Sequence, residues 1–203
     1  MDNAKERILD TAEQLFASEG VAAVTVRAIA GVAGVNVASL HYYFGSKERL
    51  FEEMFVRRVT PLNERRLAML ADCHPPDGGA PPLEGVIRAF VVPALDLLHD
   101  ANPAARTIVV QFLLGRILAM PEVNSQLTRF YELLRTGFVG ALAKALPHLS
   151  EDEVVWRYYW MGGSIMTSLA IDPAVVAGMA ANHPIEANAE SLIAFLVNGC
   201  RGG

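Results

Sequence analysis

The 203-residue sequence lacks the features that define several classes of protein. It has no run of 18 apolar residues, which argues against a membrane-spanning helix. Its N-terminus, MDNAKERILD, is charged from Asp2 onward and has no apolar segment of the kind found in signal peptides. We therefore expect a cytoplasmic protein.

Cysteine is scarce, and the two present, Cys73 and Cys200, match no metal-ligand spacing. We expect both to be reduced and incidental, the alternative being a disulfide or redox pair. Cys73 and His74 lie in the Pro/Gly-rich stretch DCHPPDGGAPP (residues 72–82), where no second Cys or His is close in sequence. A surface loop is favoured over a chemical site, and no metal or cofactor is predicted.

Strand signals are also scarce, because no segment shows sustained alternation between turn residues. Hydrophobic residues make up 52% of the chain and charged residues only 19%, as expected of a compact globular protein with apolar surface to spare. Apolar residues recur instead at helical spacing. The predicted fold class is all-α, with about nine helices.

Residues 24–47 are predicted to form two short helices joined by a tight turn, followed at once by a third helix. Thr25 and Asn36 are suited to cap the first and second helices, and Gly34 to end the first in the left-handed conformation. In the second helix Leu40 and Phe44 point inward, which leaves Val37, Ala38, Ser39, His41 and Tyr43 mostly outward.

This outward face has no structural purpose on an ordinary surface helix, where Glu, Lys, Gln and Arg would be favoured. It suits the DNA major groove, since small residues allow close approach and His and Tyr can donate to phosphates. The alternative is a helical hairpin buried in another all-α protein. The predicted DNA-contacting residues are Thr25, Arg27, Asn36, Val37, Ala38, Ser39, His41, Tyr42, Tyr43 and Lys47.

The segment TVRAIAGVAGVNVASLHYYFGSKERLF resembles the helix-turn-helix motif of the TetR-like transcriptional regulators over more than twenty consecutive residues. His41 departs from the motif, which most often has Tyr there. The resemblance implies a DNA-binding head, a ligand-binding and dimerising body, and most often repression of a palindromic operator. It covers about the first quarter of the chain strongly.

Net charge is −5, which is unusual for a nucleic-acid-binding protein. The interval from Thr25 to Lys47, however, contains no acidic residue and includes Arg27 and His41. The basic region is therefore local, as expected if a small patch meets DNA and an acidic body stays clear of it.

Three parts are predicted: a DNA-binding head (1–46), a connecting helix (47–71) and a body (83–203). Pro61 is expected to kink or divide the connecting helix. Lys47 lies in the first turn of that helix, where phosphate is favoured, and the helix's inward stripe is predicted to be Leu50, Phe51, Met54, Phe55, Val59 and Leu62. Residues 3–19 are predicted to form an amphipathic helix with Lys5, Glu6 and Glu13 outward. The predicted body helices span residues 83–100, 103–119, 122–146, 150–171 and 186–199. Ser150 and Glu153 are expected to form a capping box at the start of the fourth.

Bulky apolar residues and isolated polar groups in the body predict a cavity for a small apolar effector, to which Arg106 or Arg116 would offer a partner for an anionic group. A well-filled core is the alternative. The body also loosely resembles TetR-like regulators that respond to fatty acids or acyl-CoA esters. The predicted lining residues are Phe90, Leu97, Phe112, Leu113, Arg116, Phe130, Tyr131, Leu134, Phe138 and Trp160.

The last two helices are predicted to pair with a second copy, as the TetR-like architecture implies; simple intramolecular core is the alternative. The predicted interface comprises Val154, Tyr158, Met161, Gly162, Ile165, Leu169, Leu192, Phe195 and Leu196. A helical enzyme is disfavoured, because the body's histidines are isolated in sequence. A DNA-binding regulator without an effector remains a further alternative.

Overall fold

The computed structural model describes residues 3–99, 103–119, 125–171 and 189–202; within α6 and α7 it describes the side chains only up to residue 113 and from residue 131, respectively. In these ranges the chain forms helices and no strand, as predicted. The α-helices are α1 (Asn3–Glu19), α2 (Val26–Ala33), α3 (Val37–Phe44), α4 (Lys47–Asp72), α5 (Leu83–Leu95), α6 (Pro103–Ala119), α7 (Ser125–Ala145), α8 (Glu151–Ala170) and α9 (Ala189–Arg201). Among the described residues, no helix combines the length and apolarity needed to cross a bilayer.

Most helix boundaries lie close to those predicted. The first body helix ends at Leu95 rather than residue 100, and a 3₁₀ turn covers Asp96–His99. Ser150 accepts from the Glu153 amide, and the Glu153 carboxylate accepts from the Ser150 amide, which confirms the predicted capping box before α8. Helix α4 continues through Pro61, so the proline does not divide it.

Two compact units form, and their boundaries differ from the three predicted parts. The first contains Met1–Thr60 with Asp100–Pro121, and the second contains Pro61–His99 with Glu122–Gly203. Helix α6 therefore belongs to the first unit, because it packs on α1. Its Phe112 ring stacks on Phe55, with centroids 3.9 Å apart.

In the first unit, α1 to α3, the N-terminal half of α4 and α6 share one apolar core. Large side chains fill it, including Phe16, Leu40 and Met54, each with no measurable exposure. The predicted inward stripe of α4 is confirmed, with Phe51 partly buried and the other members buried; these are Leu50, Met54, Phe55, Val59 and Leu62.

Glu13 is the exception in this core, because its carboxylate is buried although the sequence predicted an outward side chain. Glu13 is 1% exposed and pairs with two consecutive arginines of α4. Arg58 donates to both of its oxygens at 2.9 and 2.5 Å, and Arg57 lies 3.0 Å from Oε1. Arg57 also pairs with Asp10 and Glu6 at 2.9 and 3.1 Å, so the cluster fastens α1 to α4.

In the second unit, α5 is buried along most of its length and packs on α7, α8 and α9. Arg88 of α5 bridges to Glu190 of α9 at 2.6 Å. Buried Arg157 of α8 donates to the carbonyls of Cys200 and Gly202 at 3.0 and 2.7 Å, which ties α8 to the C-terminal end of α9. Cys200 is buried, and neither it nor Cys73 is in a disulfide.

The Glu13 cluster predicts acid-sensitive stability. Burial raises the pKa of Glu13, but hydrogen bonds from Arg58 and Arg57 outweigh burial and hold the pKa below its ordinary value of 4.5. A folded-state pKa below the unfolded one gives stability that is present above about pH 4.5 and is lost as the pH falls through the folded-state pKa. Glu13→Gln should lower the free energy of unfolding at pH 7 by roughly 1–3 kcal/mol in urea titrations.

The difference between wild type and Glu13→Gln should shrink as the pH falls below 4.5. Glu6→Gln is the matched control, because the Glu6 carboxylate touches the same Arg57 but is 65% exposed. Its loss should be no more than about 0.5 kcal/mol. Equal losses for the two variants, or a Glu13→Gln difference that does not change with pH, would contradict the role given to the buried pair.

Candidate DNA-binding site

The turn between α2 and α3 has the caps that the sequence predicts. Thr25 Oγ1 accepts from the Ala28 amide at 3.1 Å, and Asn36 Oδ1 accepts from the Ser39 amide at 2.6 Å. Gly34 ends α2 with φ of 66° and ψ of 36°, the left-handed conformation that glycine reaches at low cost. The geometry is that of a helix-turn-helix.

Helix α3 buries one side and exposes the other. Leu40 and Phe44 are buried against α1 and α2, as predicted. Tyr42 is the most exposed large apolar side chain described, at 84% of its surface. Ala38 and His41 are also exposed, and Val37, Ser39 and Tyr43 are partly exposed. The predicted outward face of α3 is therefore accessible to DNA.

Some of the predicted contact residues are occupied within the head. Asn36 Oδ1 accepts from both the amide and the hydroxyl of Ser39, at 2.6 and 2.9 Å, and Thr25 caps α2. Their first role is thus to fix the angle at which α3 leaves the turn. Val37 and Ala38 in the first turn of α3 and exposed Arg27 on α2 are not used in this way.

His41 makes a bond that changes its expected contact. Its Nδ1 donates to the Gly45 carbonyl at 2.8 Å, because a carbonyl oxygen can only accept. The neutral ring then presents Nε2 as an acceptor. Donation from His41 to a phosphate, the expected contact, therefore requires the doubly protonated ring.

Lys47 is fastened inside the head. Its ammonium donates to the carbonyls of Val21 and Val24 at 2.7 and 2.9 Å, and so ties the start of α4 to the connection between α1 and α2. The sequence predicted a phosphate contact from this residue. Lys47 also has a structural role, because two of its three N–H groups donate to carbonyls of its own chain.

The predicted effector residues are distributed over both units. Phe112 and Leu113 belong to the first unit, where Phe112 packs on Phe51 and Phe55. Phe90, Leu134 and Phe138 are buried in the second unit, and Tyr131 is partly buried there. Leu97 is partly buried in the 3₁₀ turn. The side chains of Arg116 and Phe130 lie outside the described part of the chain.

Trp160 does not belong with these buried residues. It is 60% exposed and stacks with Trp156 of the same helix, with centroids 6.3 Å apart. It therefore lies away from the buried side of α8, which carries Met161 and Tyr158.

A groove of about 470 Å³ lies between the C-terminal part of α4 and α7 in the second unit. Its walls are mostly apolar and include Leu67, Leu70 and Ala141, with His74 and Lys144 as polar members. None of the predicted lining residues whose side chains the structure describes borders this groove.

The second unit contains a buried cation that was not predicted from the sequence. Arg66 of α4 is 8% exposed, donates to the Phe90 carbonyl at 2.8 Å and lies over the Phe90 ring at 4.2 Å. Arg66 and Asn63 continue the buried stripe of α4 at helical spacing from Val59 to Leu70. That continuation is the signal that could have identified them.

The apolar members of the predicted dimer stripe of α8 pack inside the single chain. This is the core alternative considered from the sequence. Val154, Tyr158, Met161, Ile165 and Leu169 are buried, and Gly162 is partly buried. On α9, Leu196 is buried and Leu192 is partly buried, while Phe195 is 67% exposed. The exposed apolar side chains of α8 are instead Trp156, Tyr159 and Trp160.

An exposed helix α3, held by a capped turn on a three-helix core, defines a helix-turn-helix DNA-binding head. A second helical unit is joined to it in the same chain. The molecule thus belongs to the class of helix-turn-helix transcriptional regulators. Within that class, residues 8–54 match the family "Bacterial regulatory proteins, tetR family", and residues 88–203 match "Tetracyclin repressor-like, C-terminal domain". The chain belongs to the TetR family.

Relatives named KstR2 support this assignment. The HTH-type transcriptional repressor KstR2 of Mycolicibacterium smegmatis is 42% identical over 125 residues, 62% of this chain and 57% of the relative. KstR2 of Rhodococcus jostii is 44% identical over 50 residues, 25% of this chain and 24% of the relative. The chain thus spans less than two thirds of either relative. The solved structure of the ketosteroid transcriptional regulator KstR2 of Mycobacterium tuberculosis has a TM-score of 0.61 at 20% identity, covering 96% of this chain and 93% of that one.

The position of Lys47 predicts that it supports the fold of the head. Lys47→Ala should lower the free energy of unfolding by roughly 1.5–3 kcal/mol, because two carbonyls lose a charged donor. Thermal or urea unfolding measures the loss. Arg49→Ala is the control, since Arg49 is an exposed basic residue on the same turn of α4, and a change within about 0.5 kcal/mol is expected there. Unchanged stability in Lys47→Ala would show that the two bonds contribute nothing.

Proposed function

We propose that the protein is a repressor that binds a palindromic DNA operator as a homodimer and is released by a small apolar effector. The observation that carries the DNA-binding part is the exposed outer face of α3, presented beside the capped turn. That face contains no acidic residue, and its small members in the first turn permit close approach to base edges.

Contacts on this face divide into two kinds. Val37 and Ala38 would meet base edges in the major groove, and Arg27 would reach a guanine or a phosphate. Tyr42 and Tyr43 would hold the backbone, which positions the helix but carries no sequence information. His41 would join them when its ring is doubly protonated.

For the dimer, we propose the aromatic face of α8 together with Phe195. Trp156, Tyr159 and Trp160 are each more than half exposed on one helix, and exposed aromatic clusters of this kind mark interaction surfaces. Gly163 is exposed and carries no side chain, so a second helix can come close there. Two-fold pairing through such a face is the commonest form of symmetric association.

Effector control would act through linkage between the body and the spacing of two heads. A ligand that prefers a different spacing lowers operator affinity by its differential binding energy, typically about 1–3 kcal/mol. Helix α4 is continuous from Lys47 to Asp72 and includes residues of both units, so it is suited to transmit the change. The KstR2 structure is titled that of a ketosteroid regulator, which supports an apolar effector.

Selection of bound sequences from a random duplex library tests the DNA-binding proposal. A homodimer should enrich a palindrome whose half-sites are centred about one helical turn, or a multiple of it, apart. Val37→Ala and Arg27→Ala should change the enriched sequence, whereas Tyr42→Ala should weaken all sequences alike. Enrichment of no sequence, or of a single half-site only, would refute a dimeric reader.

Trp160→Asp tests the dimer surface. Placing a carboxylate in the aromatic face should raise the dimer dissociation constant at least tenfold in analytical ultracentrifugation, because a buried unpaired charge is costly. Leu133→Asp is the control, since Leu133 is 58% exposed on α7, and it should leave association unchanged. A dimer that survives Trp160→Asp with wild-type affinity would place the interface elsewhere.

A further inference from the structure

The second unit contains a buried positive charge that no carboxylate neutralises among the described residues. Arg66 Nε donates to the Phe90 carbonyl at 2.8 Å, and Nη1 donates to Asn63 Oδ1 at 3.1 Å. The Phe90 ring lies against the guanidinium, with 4.2 Å from Cζ to the centroid. Each of these partners is neutral, and no ion pair to Arg66 forms within the described ranges.

Burial makes this charge costly but does not remove it. Desolvation lowers the pKa of Arg66 to about 10, so the guanidinium stays protonated at neutral pH. Tyr158 and Tyr131 are near enough to interact with it. Burial raises the pKa of Tyr158, whose phenol therefore stays neutral and supplies no counter-charge. An unpaired buried cation normally requires a partner.

Asn63 offers a second donor beside the guanidinium. Its side chain is fully buried, its Oδ1 accepts from Arg66, and its Nδ2 has no hydrogen-bond partner. A buried amide N–H left unpaired costs free energy comparable to that of a lost hydrogen bond. Two neighbouring side chains of α4, the charged Arg66 and the unpaired donor of Asn63, would thus both be satisfied by one negatively charged acceptor.

We propose that Arg66 and Asn63 form the recognition site for the carboxylate of a small apolar acid. The proposal rests on the effector function proposed above and names the chemistry of the effector. The guanidinium supplies the counter-charge, and Asn63 Nδ2 supplies a further donor to a carboxylate oxygen.

One negative charge fits this site better than two. Among the described residues of the second unit, the other buried cation is Arg157, and its guanidinium is used by the carbonyls of Cys200 and Gly202. A phosphate dianion would therefore remain half neutralised. The surroundings are aromatic, with the Phe90 ring 4.9 Å from Phe138 and 5.3 Å from Tyr158, which suits an apolar body on the acid.

Asn63→Asp is the sharpest test, because it is nearly isosteric and places a carboxylate where Arg66 already donates at 3.1 Å. The internal carboxylate should take the place of the ligand carboxylate. We expect the variant to unfold at a temperature roughly 2–4 °C higher than wild type. We also expect it to bind apolar acids at least tenfold more weakly at pH 7.5.

The probes are benzoate, cyclohexanecarboxylate and decanoate, each with its methyl ester, and inorganic phosphate as the dianion, measured by calorimetry on the full chain. At least one acid should bind wild type, its ester should bind at least tenfold more weakly, and phosphate should not compete. Arg66→Met should abolish the preference for acid over ester, and Arg66→Lys should retain part of it. If Arg66→Met fails to fold, Asn63→Asp and Arg66→Lys decide.

The proposal is overturned if no acid binds wild type, if acid and ester bind alike, if phosphate binds more tightly than the acids, or if Asn63→Asp retains acid binding. DNA affinity measured with and without the acid separates this result from the effector function. If an acid binds through Arg66 and does not change DNA affinity, the proposed release by an effector is contradicted, but the carboxylate site is not. If another compound releases DNA and no acid binds at Arg66, the carboxylate site is contradicted, but the effector function is not.

Discussion

The pairing of Glu13 with Arg57 and Arg58 holds the first unit together, because it joins α1 to the helix on which the head is built. A carboxylate with 1% exposure is tolerable only when donors surround it, and these two arginines supply them. With α1 fixed in this way, α2 and α3 have an apolar surface to pack on. The outer face of α3 is thereby held at a defined angle.

The second unit also buries a charged side chain, but there the charge is not paired with one of opposite sign among the described residues. One buried charge there is Arg66, which among the described residues contacts a carbonyl, an amide and an aromatic ring and no carboxylate. Arg157, the other buried cation described in that unit, is held by backbone carbonyls and has no counter-ion among the described residues either. Arg66 differs from Arg157 because it lies beside Asn63, whose Nδ2 has no hydrogen-bond partner, and these two neighbouring donors suit the recognition of an anion.

Much of the head could be predicted from sequence, because its information is local. The residue types at Thr25, Gly34 and Asn36 each predict a helix cap or a turn, and all three have the predicted role in the structure. The stripe of α4 from Leu50 to Leu62 followed in the same way from helical spacing. The family predicted from the helix-turn-helix motif is confirmed by matches over residues 8–54 and 88–203.

The sequence was less informative where burial depends on partners distant in the chain. Glu13 was placed outward because of its charge, although it follows buried Ala12 and its partners are 44 and 45 residues away. Helix α8 carries two apolar faces, and spacing alone does not say which one meets the core of its own chain. The face with Tyr158 and Met161 does, which leaves the one with Trp156 and Trp160 exposed.

We propose that the outer face of α3 reads DNA in the major groove, in two copies on one operator. Interference by dimethyl sulfate tests it most directly, because methylation of guanine N7 blocks the major groove and methylation of adenine N3 blocks the minor groove. We expect interference at guanine N7 in two patches about one helical turn, or a multiple of it, apart on one side of the duplex. Interference confined to adenine N3, or to a single patch, would contradict it.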